Sequence, residues 1–145
     1  MNGGDFMIEI AIVEDEEKEA LRLGSFLDRF SKETGAELSH KWWDSASAFL
    51  EQYQFQYDLI FMDIRMPGID GMAAAERLRE IDSAVKLIFI TSLAQYAVQG
   101  YSVDALDYIL KPVSYAAFAL KMQRAVERCA HRAEQWLLLN TNSGA

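Results

Sequence analysis

Five times along the chain a short apolar run gives way to a longer amphipathic stretch, and this alternation restricts the fold more than any single residue does. Runs such as Tyr57-Asp58-Leu59-Ile60-Phe61-Met62 and Lys86-Leu87-Ile88-Phe89-Ile90 have the length and composition of buried strands. Strands separated by helix-length segments pair in parallel beneath covering helices. The pattern therefore predicts an α/β domain of five βα units, with a five-stranded parallel sheet and helices on both faces. The expected strands are residues 8–13, 36–43, 57–62, 86–90 and 108–110. The second is only half apolar, which suits an edge of the sheet.

Between the strands, helical spacing of Ala20, Leu21, Leu23, Phe26, Leu27 and Phe30 predicts a helix ended by Gly35. Asp44-Ser45 offers caps for a short helix through Leu50. Residues 72–81, rich in Ala, Leu, Glu and Arg, favour a third helix. A fourth is expected around Tyr96, Ala97, Val98 and Gly100, and a last one from Ser114 past Phe118, Leu120, Met122, Ala125 and Val126 towards Arg132.

At 145 residues, 51% of them hydrophobic, the chain is the size of one ordinary domain with material for a core. The single Cys129 excludes an internal disulfide framework and fits a reducing cytoplasm. Only His40 and His131 are available, so no His/Cys cluster with zinc spacing exists. A net charge of −8 argues against a nucleic-acid surface on these residues. No apolar run approaches the roughly 18–20 residues of a membrane span, and the leading residues lack the pattern of a signal peptide. Residues 1–6 read as an N-terminal extension or a tag remnant. The run Trp136-Leu137-Leu138-Leu139 within 134–145 reads either as the start of a linker to an absent domain or as an extension of the last helix.

The carboxyl ends of the strands carry the chemistry. Asp63 follows the third apolar run, and Pro67-Gly68 prevents that strand from continuing. Ligands of open α/β sheets bind at this edge. The first strand delivers Glu14 and Asp15 to it, the fourth Thr91 and the fifth Lys111. Three carboxylates crowded there repel one another and are tolerable ionised only with a cation between them. Oxygen donors of this kind suit Mg²⁺, which keeps several waters and takes one or two carboxylates plus a substrate phosphate. The set describes a phosphoryl-transfer site. An aspartate attacks phosphorus, the metal and a lysine ammonium neutralise the equatorial oxygens, and a hydroxyl donates a further hydrogen bond. Taken singly, each residue has an ordinary structural explanation: Thr91 as a strand former, Tyr108 as core filling, Lys111 as a solvated strand end. Their convergence on one edge favours the chemical reading.

Glu14-Asp15, Asp63 with Pro67-Gly68 behind it, Thr91, Tyr108 and Lys111-Pro112 stand in an order and spacing that resembles the receiver domain of bacterial two-component response regulators. The resemblance covers about Met7 to Arg132, so residues 7–133 are assigned to a receiver domain of the (βα)5, flavodoxin-like kind. It implies that Asp63 is the phosphoacceptor, that Asp15, Asp63 and the backbone carbonyl of Arg65 bind Mg²⁺, and that Glu14 supports the metal. It further implies that Lys111 pairs with the phosphoryl group, Thr91 is the switch hydroxyl, Tyr108 is an aromatic that rotates inward, and Lys111-Pro112 is cis. The stretch from Tyr96 to Tyr101, with Val103-Asp104-Ala105-Leu106-Asp107-Tyr108-Ile109-Leu110-Lys111-Pro112-Val113, is similar to receivers joined to LytTR-type DNA-binding domains. The implied partner is a sensor histidine kinase, with homodimerisation on phosphorylation through the surface of the fourth helix, fifth strand and fifth helix. DNA would be contacted only through a separate C-terminal domain. The protein would catalyse only its own phosphotransfer and autodephosphorylation. Two other readings compete: a docking module that is never phosphorylated, and a phosphohydrolase that also forms an aspartyl phosphate. The second is disfavoured because Arg65 stands where such an enzyme carries its second acid.

Overall fold

The computed structural model describes residues 6–143, with side chains through residue 130. The expectations for residues 1–5, and for the side chains of His131, Arg132 and the Trp136-to-Leu139 run, lie outside the described residues.

Five parallel strands, β1 (Met7–Val13), β2 (Glu37–Trp43), β3 (Leu59–Met62), β4 (Lys86–Thr91) and β5 (Asp107–Leu110), lie in the order β2-β1-β3-β4-β5. The half-apolar β2 is an edge strand, as its composition predicts. Alternate residues of the central strands point into two separate cores. Ala11, Val13, Ile60, Met62, Leu87 and Phe89 face one layer, with Phe49, Met72 and Leu78 packed on them. Ile8, Ile10, Ile12, Leu59, Phe61, Ile88 and Ile90 face the other, beneath Leu23, Leu27, Phe118 and Met122. Burial on both faces is why these strands read as continuous apolar runs and not as an alternating pattern.

The helices are α1 (Glu17–Thr34), α2 (Ala46–Glu51), α3 (Gly71–Ile81) and α4 (Tyr115–Ser143). Gly35 stops α1 at φ 81°, in the left-handed region, with its N–H donating to Ser31 O. Ser45 caps α2 by accepting from Ala48 N, and Asp70 caps α3 by accepting from Ala73 N at 2.8 Å. Ser114 Oγ accepts from Ala117 N at 3.1 Å at the start of α4. On the same face of the sheet, α1 and α4 are clasped together by their side chains. The Arg29 guanidinium lies 4.0 Å over the Tyr115 ring, and Tyr115 Oη donates to Glu33 at 2.8 Å.

One expected element is not formed. In place of a regular helix around Tyr96 to Gly100, the chain makes two 3₁₀ turns, Ala94–Tyr96 and Val98–Val103. Neither has a side-chain cap, and the stretch mixes β-branched Val98 and Val103 with Tyr96, Tyr101 and Gly100, none of them strong helix formers. Gly100 is buried, where a Cβ would lie 3.7 Å from Ala105 and from Tyr108, and Asp104 ends the stretch at φ 53°. Tight i→i+3 turns follow from weak propensity between two such fixed points.

The strand order reverses between β1 and β3, the point where a crevice opens at the carboxyl edge of an open sheet. Backbone bonds from Glu14 N to Trp43 O and from Asp63 N to Val13 O, each 3.0 Å, carry the ladder past the strand ends and hold both acids there. The loop after Asp63 turns at Gly68, φ 79°, and folds α3 back onto it. Gly71 N donates to Ile64 O at 2.8 Å, and a Cβ on Gly71 would lie 2.0 Å from Asp63 O. Ordinary helix propensity favours Ala over Gly by about 1 kcal/mol, yet Gly71→Ala should destabilise the protein by about 3 kcal/mol through this backbone collision. Urea unfolding checks it; a stability equal to or above wild type would contradict the close approach.

Candidate functional site

Each of the strand ends contributes to one corner. Glu14 and Asp63 are both buried, at 4% and 6% exposure, and Thr91 is wholly inaccessible. Lys111, one residue beyond β5, reaches back across the sheet edge and donates to Glu14 Oε1 at 2.6 Å and to Asp63 Oδ2 at 2.9 Å. The Lys111-Pro112 bond is cis, as the resemblance implies. The remaining carboxylate oxygens are also engaged. Glu16 N donates to Glu14 Oε2 at 3.1 Å, and Arg65 N donates to Asp63 Oδ1 at 3.3 Å.

This geometry splits the two acids electrostatically. Burial pushes Glu14 up to about 7 against the opposing bond from Lys111, and the neighbouring Asp63 charge adds to the rise. Burial also acts upward on Asp63, but the hydrogen bonds from Lys111 and Thr91 outweigh it and hold its carboxyl below the usual range. Lys111, though burial works against its charge, is raised by its bonds to Asp63 and Glu14. Asp63 is therefore ionised at neutral pH beside a permanently charged ammonium. Lys111 thus relieves part of the crowding expected from the carboxylates, and the raised Glu14 takes a share of a proton near neutral pH.

The oxygen set expected for Mg²⁺ is the carboxylates of Glu14, Asp15 and Asp63 with the Arg65 carbonyl. These are hard donors of the right chemistry. Among the described residues no three His, Cys, Asp or Glu side chains lie close enough to enclose an ion by themselves.

Thr91 and Tyr108 meet through one intervening residue. Leu93 N donates to Thr91 Oγ1 at 3.4 Å, and the Tyr108 hydroxyl donates to Leu93 O. The Tyr108 ring packs on Phe89, 5.8 Å between centroids, and partial burial with the Asp63 charge raises its phenol.

Three contributors went unread in the sequence. Trp42 Nε1 donates to Glu14 O at 2.6 Å and ties the acidic corner to edge strand β2. Gly71 presses α3 onto the Asp63 backbone. Arg22 donates through Nη2 to Val113 O at 2.8 Å, fixing the turn that follows Lys111. Trp42 and Arg22 act on main-chain atoms far away in sequence, and Gly71 acts across the loop after Asp63, so no local motif announces them. Beside Lys111 a cleft of about 350 Å³ opens between α1 and that turn, with Glu14, Asp63 and Lys111 on one wall and Leu23, Phe26 and Val113 on the other.

Residues 10–123 match the family described as the response regulator receiver domain. A response regulatory protein of Yersinia pestis is 31% identical over 120 residues, covering 81% of this chain and 48% of that protein. The sensory transduction protein LytT of Bacillus subtilis is 30% identical over 131 residues, covering 89% of this chain and 53% of that protein. The chain thus spans about half the length of both relatives. Among solved structures, the response regulatory domain of protein mrkE from Klebsiella pneumoniae has a TM-score of 0.72 at 25% identity, covering 86% of this chain and 99% of that chain.

Because Glu14 titrates near 7 when folded and near 4.5 when unfolded, the folded state binds its proton more tightly. Its contribution to stability is complete below about 4.5 and is lost as the pH rises through 7. In EDTA, moving from pH 8 to pH 5 should raise the stability of wild type relative to Glu14→Gln by up to ~3 kcal/mol. Paired urea titrations at the two values measure it, and an unchanged difference would remove the assigned shift.

Proposed function

Since the chain belongs to the response regulator receiver family, we propose that it is a phosphorylation-dependent switch in which Asp63 accepts a phosphoryl group from a sensor histidine kinase. The observation that carries the reading is the ammonium of Lys111 shared between Asp63 and Glu14, at 2.9 and 2.6 Å, at the switch point of the sheet.

The step is an in-line transfer. An ionised Asp63 oxygen attacks phosphorus from the cleft side, the new O–P bond forms, and the bond from phosphorus to the donor breaks with its electron pair leaving on the donor group. Lys111, already charged and desolvated, stands beside the developing negative charge and needs no reorganisation to meet it. The Thr91 hydroxyl donates to a phosphoryl oxygen, and the Arg65 amide remains aimed at the acceptor. Receiver domains bind Mg²⁺ in their acidic pocket. Here Asp15, Asp63 and the Arg65 carbonyl would hold it, with Glu14 in support, and it would supply positive charge against the phosphoryl oxygens.

Receiver domains interact with sensor histidine kinases and often dimerise. For this chain the reading is a cognate kinase at the cleft and homodimerisation on phosphorylation, in a cytoplasmic setting. The similarity to LytT supports a LytTR-type DNA-binding effector in the whole protein. The formal charge of −8 leaves DNA contact to that effector.

Intact mass after incubation with acetyl phosphate and Mg²⁺ should show one base-labile phosphoryl adduct, absent without Mg²⁺ and absent in Asp63→Asn. Lys111→Gln should slow its formation on the order of 10²-fold by removing the preorganised charge. Wild type that stays unmodified, without consuming the donor, would leave a docking module as the function.

A further inference from the structure

The segment between the switch hydroxyl and the switch aromatic is held very unequally at its two ends, and the difference traces to Arg79. From the last turn of α3, its guanidinium donates to four backbone carbonyls. Nε bonds Val103 O at 2.6 Å and Nη2 bonds Asp104 O at 3.0 Å. Nη1 bonds Val85 O at 2.6 Å and Asp82 O at 3.3 Å. Three separate pieces of chain are joined: the end of α3, the residue before β4, and the end of the second 3₁₀ turn. Only a planar fork of five donors spans such a set, and a cation suits the carbonyl-rich end of a helical turn.

At that end the chain is further fixed. Val103 is 2% exposed within the core, Ala105 N donates to Gly100 O at 3.0 Å, and Leu106 N donates to Leu87 O at 2.7 Å. The other end is held by the Thr91 and Tyr108 bonds to Leu93, by two i→i+3 bonds of 3.2 Å, Ala97 N to Ala94 O and Gly100 N to Ala97 O, and by the partly buried Leu93 and Tyr96 against the core. Val98 there is 78% exposed.

We propose that Arg79 is a positioning residue that pins residues 103–106, so that rearrangement begun at Thr91 runs through Leu93 to Gly100 and stops there. The proposal rests on the phosphorylation reading for its trigger, but not for its anchor. The movement changes the surface carrying Val98 while β5, and with it Lys111, keeps its register. Lysine at position 79 cannot reproduce the anchor, because one nitrogen cannot reach carbonyls on three segments.

Hydrogen exchange of the whole chain tests it, with beryllofluoride and Mg²⁺ as the phosphoryl mimic. In wild type, exchange in residues 93–100 should change about fivefold or more on adding the mimic, with 103–106 unaltered. In Arg79→Lys, exchange of 103–106 should rise about tenfold or more without the mimic, and the response to the mimic should extend into it. Equal responses in the two halves of wild type would overturn the proposal. So would Arg79→Lys with wild-type exchange at 103–106, or with residues 10–13 of β1 accelerated by the same factor, since that marks global loss of stability. A wild type that ignores the mimic fails the phosphorylation reading instead, while the comparison without mimic still decides the anchor.

Discussion

A single ammonium between two buried carboxylates organises the carboxyl edge of this sheet. Lys111 follows the far strand β5, yet its partners follow β1 and β3, so the contact crosses β4 and depends on correct register in every strand between. The charge count matters as much as the distance. One positive charge lies between two buried acids; Asp63 is held below the usual carboxylate range, and burial raises Glu14 to about 7. The corner is thus short of positive charge, and it accepts a proton at Glu14. An anionic group arriving at Asp63, as proposed above, would increase that shortage.

The strand ends were legible in the sequence because burial on both faces leaves an unmistakable apolar run, and the first polar residue after each run falls at the sheet edge. Glu14, Asp63, Thr91 and Lys111 all follow that rule. The edge position of β2 was visible in its composition, and Gly35 and Ser45 carried the local signals of helix ends. The segment after β4 was not legible as it stands, since Tyr96, Val98 and Gly100 suggest a helix to a periodicity argument while their propensities only support 3₁₀ turns. Trp42, Gly71 and Arg79 escaped for a different reason. Each acts on backbone atoms brought near by topology, and such contacts leave no spacing to read.

The weakness of that segment is functional material. A well-capped α-helix after Thr91 would resist displacement through its own i→i+4 ladder. Short 3₁₀ turns have poorer hydrogen-bond geometry and little intrinsic cooperativity, so the bonds from Thr91 and Tyr108 to the two sides of Leu93 govern its conformation. On the proposed reading, a change at Asp63 would meet this soft element first and the stretch bonded by Arg79 second.

The clasp between α1 and α4 sets the aim of the longest element in the chain. With 29 residues at 1.5 Å each, α4 is about 43 Å long. Arg29, Glu33 and Phe26 all grip its first turn, at Tyr115 and Phe118. A pointer held at its base magnifies angle into distance: a tilt of about 5° at Tyr115 carries the far end through roughly 4 Å, given that length. The stacking of one guanidinium on one tyrosine ring, with Phe118, Met122, Ala125 and Cys129 seated in the core beyond it, thereby sets the direction in which α4 runs.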